Sequence, residues 1–184
     1  SDVYKRQGRE HDRRFMDTHH DLAIMLPNIN PYIRPKGTSL EEWCDAKILE
    51  MEETILSIGA DQIGCFIAEP ILASGGVIVP PPDYHQRSIE LCQKHNIIYI
   101  SDETVTGFGR LGHWFASKEI FDIQPDIITC AKGLTSGYLP MGAAIISDSL
   151  IDDIKNIEGS QPFTNGYTYS CHPVAAKAAL TNID

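Results

Sequence analysis

Lys132, Asp102 and Glu69 are residues of this 184-residue chain whose types and spacing could do chemistry together. Lys132 ends the apolar run "PDIITCAK" and is followed by "GLTSG"; Asp102 and Glu103 end "NIIYISDE" and are followed by "TVTGFGR". Glu69 ends a third run, within "GCFIAEPI". In an open α/β sheet, ligands bind beyond the carboxyl ends of the strands, so three ionisable endings on one edge form a candidate site. The glycines that follow Asp102 and Lys132 keep the backbone bare near both groups, as close approach of a ligand requires.

Two common nucleotide motifs fit these residues poorly. "GFGRLG" copies a GxGxxG spacing but follows the charged turn "DETVT" and has no clear acidic partner on a following strand end. "AKGLTSG" lacks the preceding glycine frame of a P-loop. Pyridoxal phosphate uses every residue: its aldehyde needs a lysine amine, and its pyridine nitrogen needs a carboxylate to stay protonated and act as an electron sink. A free lysine, with a pKa of about 10.4, would be a protonated and useless base, so burial and imine formation are needed to bring Lys132 into range.

The elements that must position these groups are short. "GCFIAEPI", "NIIYISDE", "PDIITCAK" and "GAAIISD" are strand-like and apolar on both faces, the pattern of strands covered by helices on both sides. Between them, "PDYHQRSIELCQKHN" reads as a helix with Asp83 as N-cap and Ile89, Leu91 and Cys92 inward, and a second helical segment lies around "WFASKEIF". The Pro-rich "VPPPDY" is a stiff entry into the first of these. This order predicts an α/β fold, a mostly parallel sheet flanked by helices.

Composition narrows the partners. A formal net charge of -10 argues against nucleic acid and anionic membranes, and "LAIML" is too short for a membrane span or a signal sequence. The acidic block "LEEWCDAKILEMEETI" carries Leu40, Trp43, Ile48, Met51 and Ile55 at roughly helical intervals, so its carboxylates are expected on a solvated helix face. Five cysteines without a CxxC pair predict reduced thiols in a cytoplasmic protein. His19, His20 and Asp21 are neighbours that would point apart in an extended segment, and no metal site is expected there. Residues 1–7, "SDVYKRQ", are read as a non-native leader, and both chain ends as cuts.

From about residue 8 onward the chain resembles the middle of a class III aminotransferase, a fold-type I enzyme dependent on pyridoxal phosphate. The resemblance rests on "FIAEPI", "GGVIVPPPDYH", "SDETVTGFGRLGHWFAS", "PDIITCAKGLTSGYLPMGA" and "FTNGYTYSCHPVA", five motifs in the family's order. It implies that residues 8–184 are part of the cofactor-binding large domain, lacking an N-terminal portion and the C-terminal small domain. It further implies that Lys132 is the Schiff-base lysine and Asp102 the partner of the pyridine nitrogen. Thr168 would bind the phosphate of the cofactor in the other subunit of a homodimer, with Tyr167 flanking it through its backbone, and Glu69 would serve the substrate side. Two positions depart from the pattern. Thr104 stands where a valine usually packs on the cofactor ring, and Cys171 where glycine is common.

What the resemblance implies of activity is amino transfer from a primary amine or ω-amino acid to a 2-oxo acid such as pyruvate. Alternatives are an acetylornithine or 4-aminobutyrate type of transaminase, a glutamate-1-semialdehyde aminomutase, or a non-catalytic homologue of the fold. The family's glycine-serine phosphate loop and its carboxylate-binding arginine would lie outside this stretch, so the 184 residues alone are expected to be inactive.

Overall fold

The structure is a computed structural model and describes residues 22–157, 159 and 166–184. The leader assigned to residues 1–7 and the His19–His20–Asp21 group lie outside these residues, as do Phe163, Thr164 and Asn165 of the last motif.

Ser39 starts the first helix, α1 (Leu40–Ile58), through a reciprocal pair of bonds: its hydroxyl accepts from the Glu42 N–H, and its own N–H donates to the Glu42 carboxylate. Gly59 ends the helix with φ +94. The chain then forms β1 (Cys65–Ala68), α2 (Tyr84–Lys94), β2 (Ile98–Asp102), α3 (Ala116–Glu119), β3 (Ile127–Cys130), β4 (Ala143–Ile146), α4 (Asp148–Asn156) and α5 (Pro173–Ile183). All four expected strands form and stand in chain order, β1-β2-β3 parallel and β4 antiparallel to β3. The sheet is therefore mostly parallel, as expected.

The core lies between α1, α2 and β2, where Met51, Ile55, Ile89, Leu91, Cys92, Ile97, Tyr99 and Ile123 cluster. Burying each large apolar side chain contributes about 1.5–3 kcal/mol, so this cluster anchors the sheet on which the site stands. Ile89, Leu91 and Cys92 face inward as the sequence predicts.

Three expectations are corrected. The buried face of α1 is Cys44, Lys47, Met51 and Ile55, while Leu40 is exposed, and besides Glu42 in the cap and Glu50 on Lys47, two of the acidic residues reach another helix: Asp45 pairs with Arg87 at 2.7 Å and Glu52 with Lys94. These pairs tie α1 to α2 across 42 residues of sequence. Asp83 does precede α2, but its backbone is left-handed (φ +62) and its side chain caps nothing. The left-handed turn aims the carboxylate away from the N–H groups it would cap. The sheet is also not covered on both sides within the described residues, since every residue of β4 is exposed and β1 alternates between exposed and half-buried. Apolar strands are the right signal for burial, but they cannot say which chain segment supplies the cover.

Candidate active site

The strand registers bring the predicted residues to one edge. Ala68 pairs with Ser101 and Asp102 with Thr129, so Glu69 follows β1 beside Asp102, and Lys132 lies three residues beyond Thr129. The Asp102 Oδ1 accepts from the Thr104 N–H and the Thr129 hydroxyl, each at 3.1 Å. These two donors fix the carboxylate and leave Oδ2 with no donor among the described residues.

Lys132 opens a short 3₁₀ turn, Lys132–Thr135, with φ +39, a left-handed conformation that is costly for a residue with a side chain. Phe108 (φ +57) and Ser136 (φ +49) share that region of backbone space nearby. The turn is held from two sides. A Cβ added to Gly133 would come within 2.8 Å of the Phe108 Cβ, so only glycine lets the two backbones approach. On the other side Asn182, near the end of α5, donates to the carbonyls of Gly133 (2.9 Å) and Leu134 (3.3 Å), and accepts from the Ser136 hydroxyl. Beside the turn lies a cleft of about 1010 Å³, lined by Phe108, Arg110, Trp114, Lys132, Gly133 and Asn182 among others. Asp102 and Glu69 do not line it.

Glu69 is coupled to both other groups. Burial raises its pKa above the ordinary carboxylate value and the charge of Asp102 adds to the rise, while the Ala73 N–H, donating to Glu69 Oε2 at 3.1 Å, and the Lys132 ammonium oppose it. Glu69 thus feels the charge of both Asp102 and Lys132.

The sequence reading missed His85. Its Nε2 donates to the Pro70 carbonyl at 3.0 Å, and its Nδ1 accepts from the Tyr99 hydroxyl at 2.9 Å. The carbonyl can only accept, which sets the tautomer, and burial lowers the His85 pKa and favours that neutral form. His85 therefore pins the residue after Glu69 to α2 and β2. A lone histidine inside "PDYHQR" gives no signal of this, because its partners are 14 and 15 residues away.

The remaining predicted residues stand differently. Thr104 is half-buried and serves Asp102 through its N–H; its hydroxyl makes no hydrogen bond among the described residues. Tyr167 and Thr168 sit in an exposed turn closed by Ser170, whose N–H and hydroxyl bond the Tyr167 backbone at 2.9 and 3.0 Å. Neither lines the cleft, and neither hydrogen-bonds to Asp102 or Lys132 among the described residues. Cys171 has φ +59, the conformation that makes glycine the easier residue there, and the turn forms nonetheless.

An uncommitted carboxylate oxygen at Asp102 and a Lys132 amine without hydrogen-bond or ion-pair partner among the described residues are the donor set that pyridoxal phosphate asks for. Comparison with known proteins agrees. A family model described as aminotransferase class-III matches residues 12–184. A putrescine–pyruvate aminotransferase of Pseudomonas aeruginosa is 46% identical over 134 residues, 73% of this chain and 28% of that protein. A mitochondrial gamma-aminobutyrate transaminase of Oryza sativa is 42% identical over 147 residues, covering 78% and 28%. The crystal structure of a PLP-bound aminotransferase mutant from Vibrio fluvialis superposes with a TM-score of 0.83 at 38% identity, over 88% of this chain and 36% of that one. The chain thus spans under two-fifths of the length of these relatives. With the family model matching 173 of its residues and relatives 38–46% identical to it, the chain belongs to the class-III aminotransferases, whose cofactor is pyridoxal phosphate.

Proposed function

We propose that this chain is the catalytic strand edge of a transaminase that moves an amino group from a primary amine or ω-amino acid to a 2-oxo acid such as pyruvate. The observation that carries the reading is the convergence of Asp102 and Lys132 on neighbouring strand ends, each with its reactive atom uncommitted. Bound pyridoxal phosphate would supply an electron sink for the amino carbon. Asp102, fixed through Oδ1, would balance the charge at the cofactor's ring nitrogen, and Lys132 would anchor the cofactor covalently and, once released, carry the proton to and from the substrate carbon. Thr104 would line the ring, and Glu69 would face the substrate. Thr168 and Tyr167, exposed here, would reach the phosphate in a neighbouring subunit of a homodimer. A cytoplasmic setting suits the five free thiols. The likeness to a putrescine–pyruvate aminotransferase favours diamine donors and pyruvate over 2-oxoglutarate.

The test uses the full-length polypeptide that carries this chain. Pyridoxal phosphate is added, the complex is reduced with borohydride, and the modified peptide is mapped by mass spectrometry. Labelling at Lys132, abolished in Lys132→Ala, is expected, together with product from putrescine and pyruvate. Labelling without turnover of any amine would select the non-catalytic homologue, and turnover of 4-aminobutyrate with 2-oxoglutarate the other branch of the family. A folded protein left unlabelled at Lys132 would sink the assignment.

A further inference from the structure

Glu103 is fully buried, and its carboxylate receives four hydrogen bonds. The Thr106 hydroxyl (2.6 Å) and the Ala116 N–H (3.0 Å) donate to Oε2; the Ser117 N–H (2.7 Å) and hydroxyl (2.6 Å) donate to Oε1. A buried charge is costly unless it is met by donors, and here each carboxylate oxygen accepts two hydrogen bonds. The backbone of the same residue is equally engaged: its N–H donates to the Thr129 carbonyl at 2.8 Å, and its carbonyl accepts from the Gly107 N–H at 2.9 Å. Glu103 therefore joins β3 to both ends of the loop between β2 and α3.

That loop is one wall of the Lys132 turn. Gly107 is pressed between the Glu103 carbonyl and the Phe115 ring, where an added Cβ would meet them at 3.0 and 3.4 Å. Phe108, next in the chain, then meets Gly133, and the Gly107 carbonyl lies 3.4 Å from where a Gly133 Cβ would stand. A continuous path of packed and hydrogen-bonded groups runs from the Glu103 carboxylate through the loop to the residue after Lys132. Resting on the reading of Lys132 given above, we propose that Glu103 is a positioning residue for this active site: its buried carboxylate holds the 104–117 loop so that Phe108 keeps the Lys132 turn in its left-handed conformation and the Lys132 amine in line with Asp102.

Glutamine tests the charge without removing bulk, because its amide nitrogen would have to face N–H donors. In the full-length polypeptide, Glu103→Gln is expected to fold, to speed amide hydrogen exchange in both the 104–117 loop and the 132–136 turn, to weaken pyridoxal phosphate binding about tenfold, and to shift the pH at which the visible band of the bound cofactor changes. Displacements on the scale of 1 Å at a reacting group cost on the order of 100-fold in rate, so kcat should fall between about 10- and 100-fold with KM changed less. Thr106→Val removes one donor while keeping the shape, and should move the same readouts in the same direction by a few-fold, which preserves the test if Glu103→Gln does not fold. Faster exchange confined to the loop, with the 132–136 turn and the cofactor band as in the parent, would overturn the proposal and leave Glu103 a stabiliser of the loop alone. The exchange measurement needs no cofactor. A parent that fails to label at Lys132 while its turn still loosens in Glu103→Gln would therefore discard the catalytic reading and keep the mechanical one.

Discussion

Glu69 stands beside Asp102 at the end of the sheet, and burial, with the neighbouring charge added to it, makes its ionised form the less comfortable one. Asp102 receives a hydroxyl and an N–H, whereas Glu69 receives a single N–H and is penalised by burial and by Asp102 itself. The folded state thus binds the Glu69 proton more tightly than the unfolded chain does. Ionised Glu69 opposes folding above its raised pKa, and the opposition fades as pH falls through that pKa, vanishing below the ordinary value of 4.5 where both states are protonated. Glu69→Gln keeps an acceptor for the Ala73 N–H and removes the charge. It is expected to raise Tm by about 1 °C at pH 7, the small size reflecting a group that solvent partly screens, and to lose that advantage as pH approaches 4.5. Thermal melts of both proteins across pH 4 to 8 check this, and an advantage that grows toward acid would contradict the sign. None of this was visible in the sequence beyond the fact that both residues end strands, because relative burial and donor count depend on register.

At the level of elements, helix α5 acts on the Lys132 turn from 46 to 49 residues away. In the turn the Gly133 carbonyl accepts from the Ser136 N–H and the Leu134 carbonyl has no backbone donor among the described residues, and Asn182 donates to both while its own oxygen takes the Ser136 proton. Asn182→Ala should cost roughly 0.5–1.5 kcal/mol, the usual net worth of such bonds, and should slow borohydride-trapped labelling of Lys132 as the turn loosens. Asn182→Asp, which keeps the acceptor for Ser136 and loses the donor, should fall between the two. Equal melting and labelling rates in all three proteins would show that α5 merely lies against the turn. The strands themselves were legible, since each lies in a short apolar run of the right length, and their alternation with helical segments pointed to a mostly parallel sheet. Asn182 was not, nor were His85 and the clamp formed by Glu103: each joins segments separated by 13 or more residues, and periodicity carries no such information. Asp83 misled because a residue of the right type stood at the right place with the wrong backbone.

For the molecule as a whole, the strand registers place Ile67, Ile100, Ile127 and Ile146 in a single row across all four strands. Directly paired residues point to the same face, and the row ends in side chains that are 57% exposed at Ile67 and 38% exposed at Ile146. The opposite face carries Tyr99, which is 1% exposed within the helix-covered core. An apolar row exposed at both ends favours association, so the 184-residue chain is expected to be sticky by itself. Expressed alone, the chain should bind a hydrophobic dye and self-associate at micromolar concentration. The double substitution Ile67→Lys and Ile146→Lys should suppress both, with a change in Tm of no more than about 2 °C, because neither side chain is buried in the fold. The same substitutions in the full-length polypeptide separate two origins of the row. If the row is covered there, as strands apolar on both faces require, two buried lysines should cost several kcal/mol and prevent folding, so a full-length double variant as stable as its parent would mean that this face stays open to solvent.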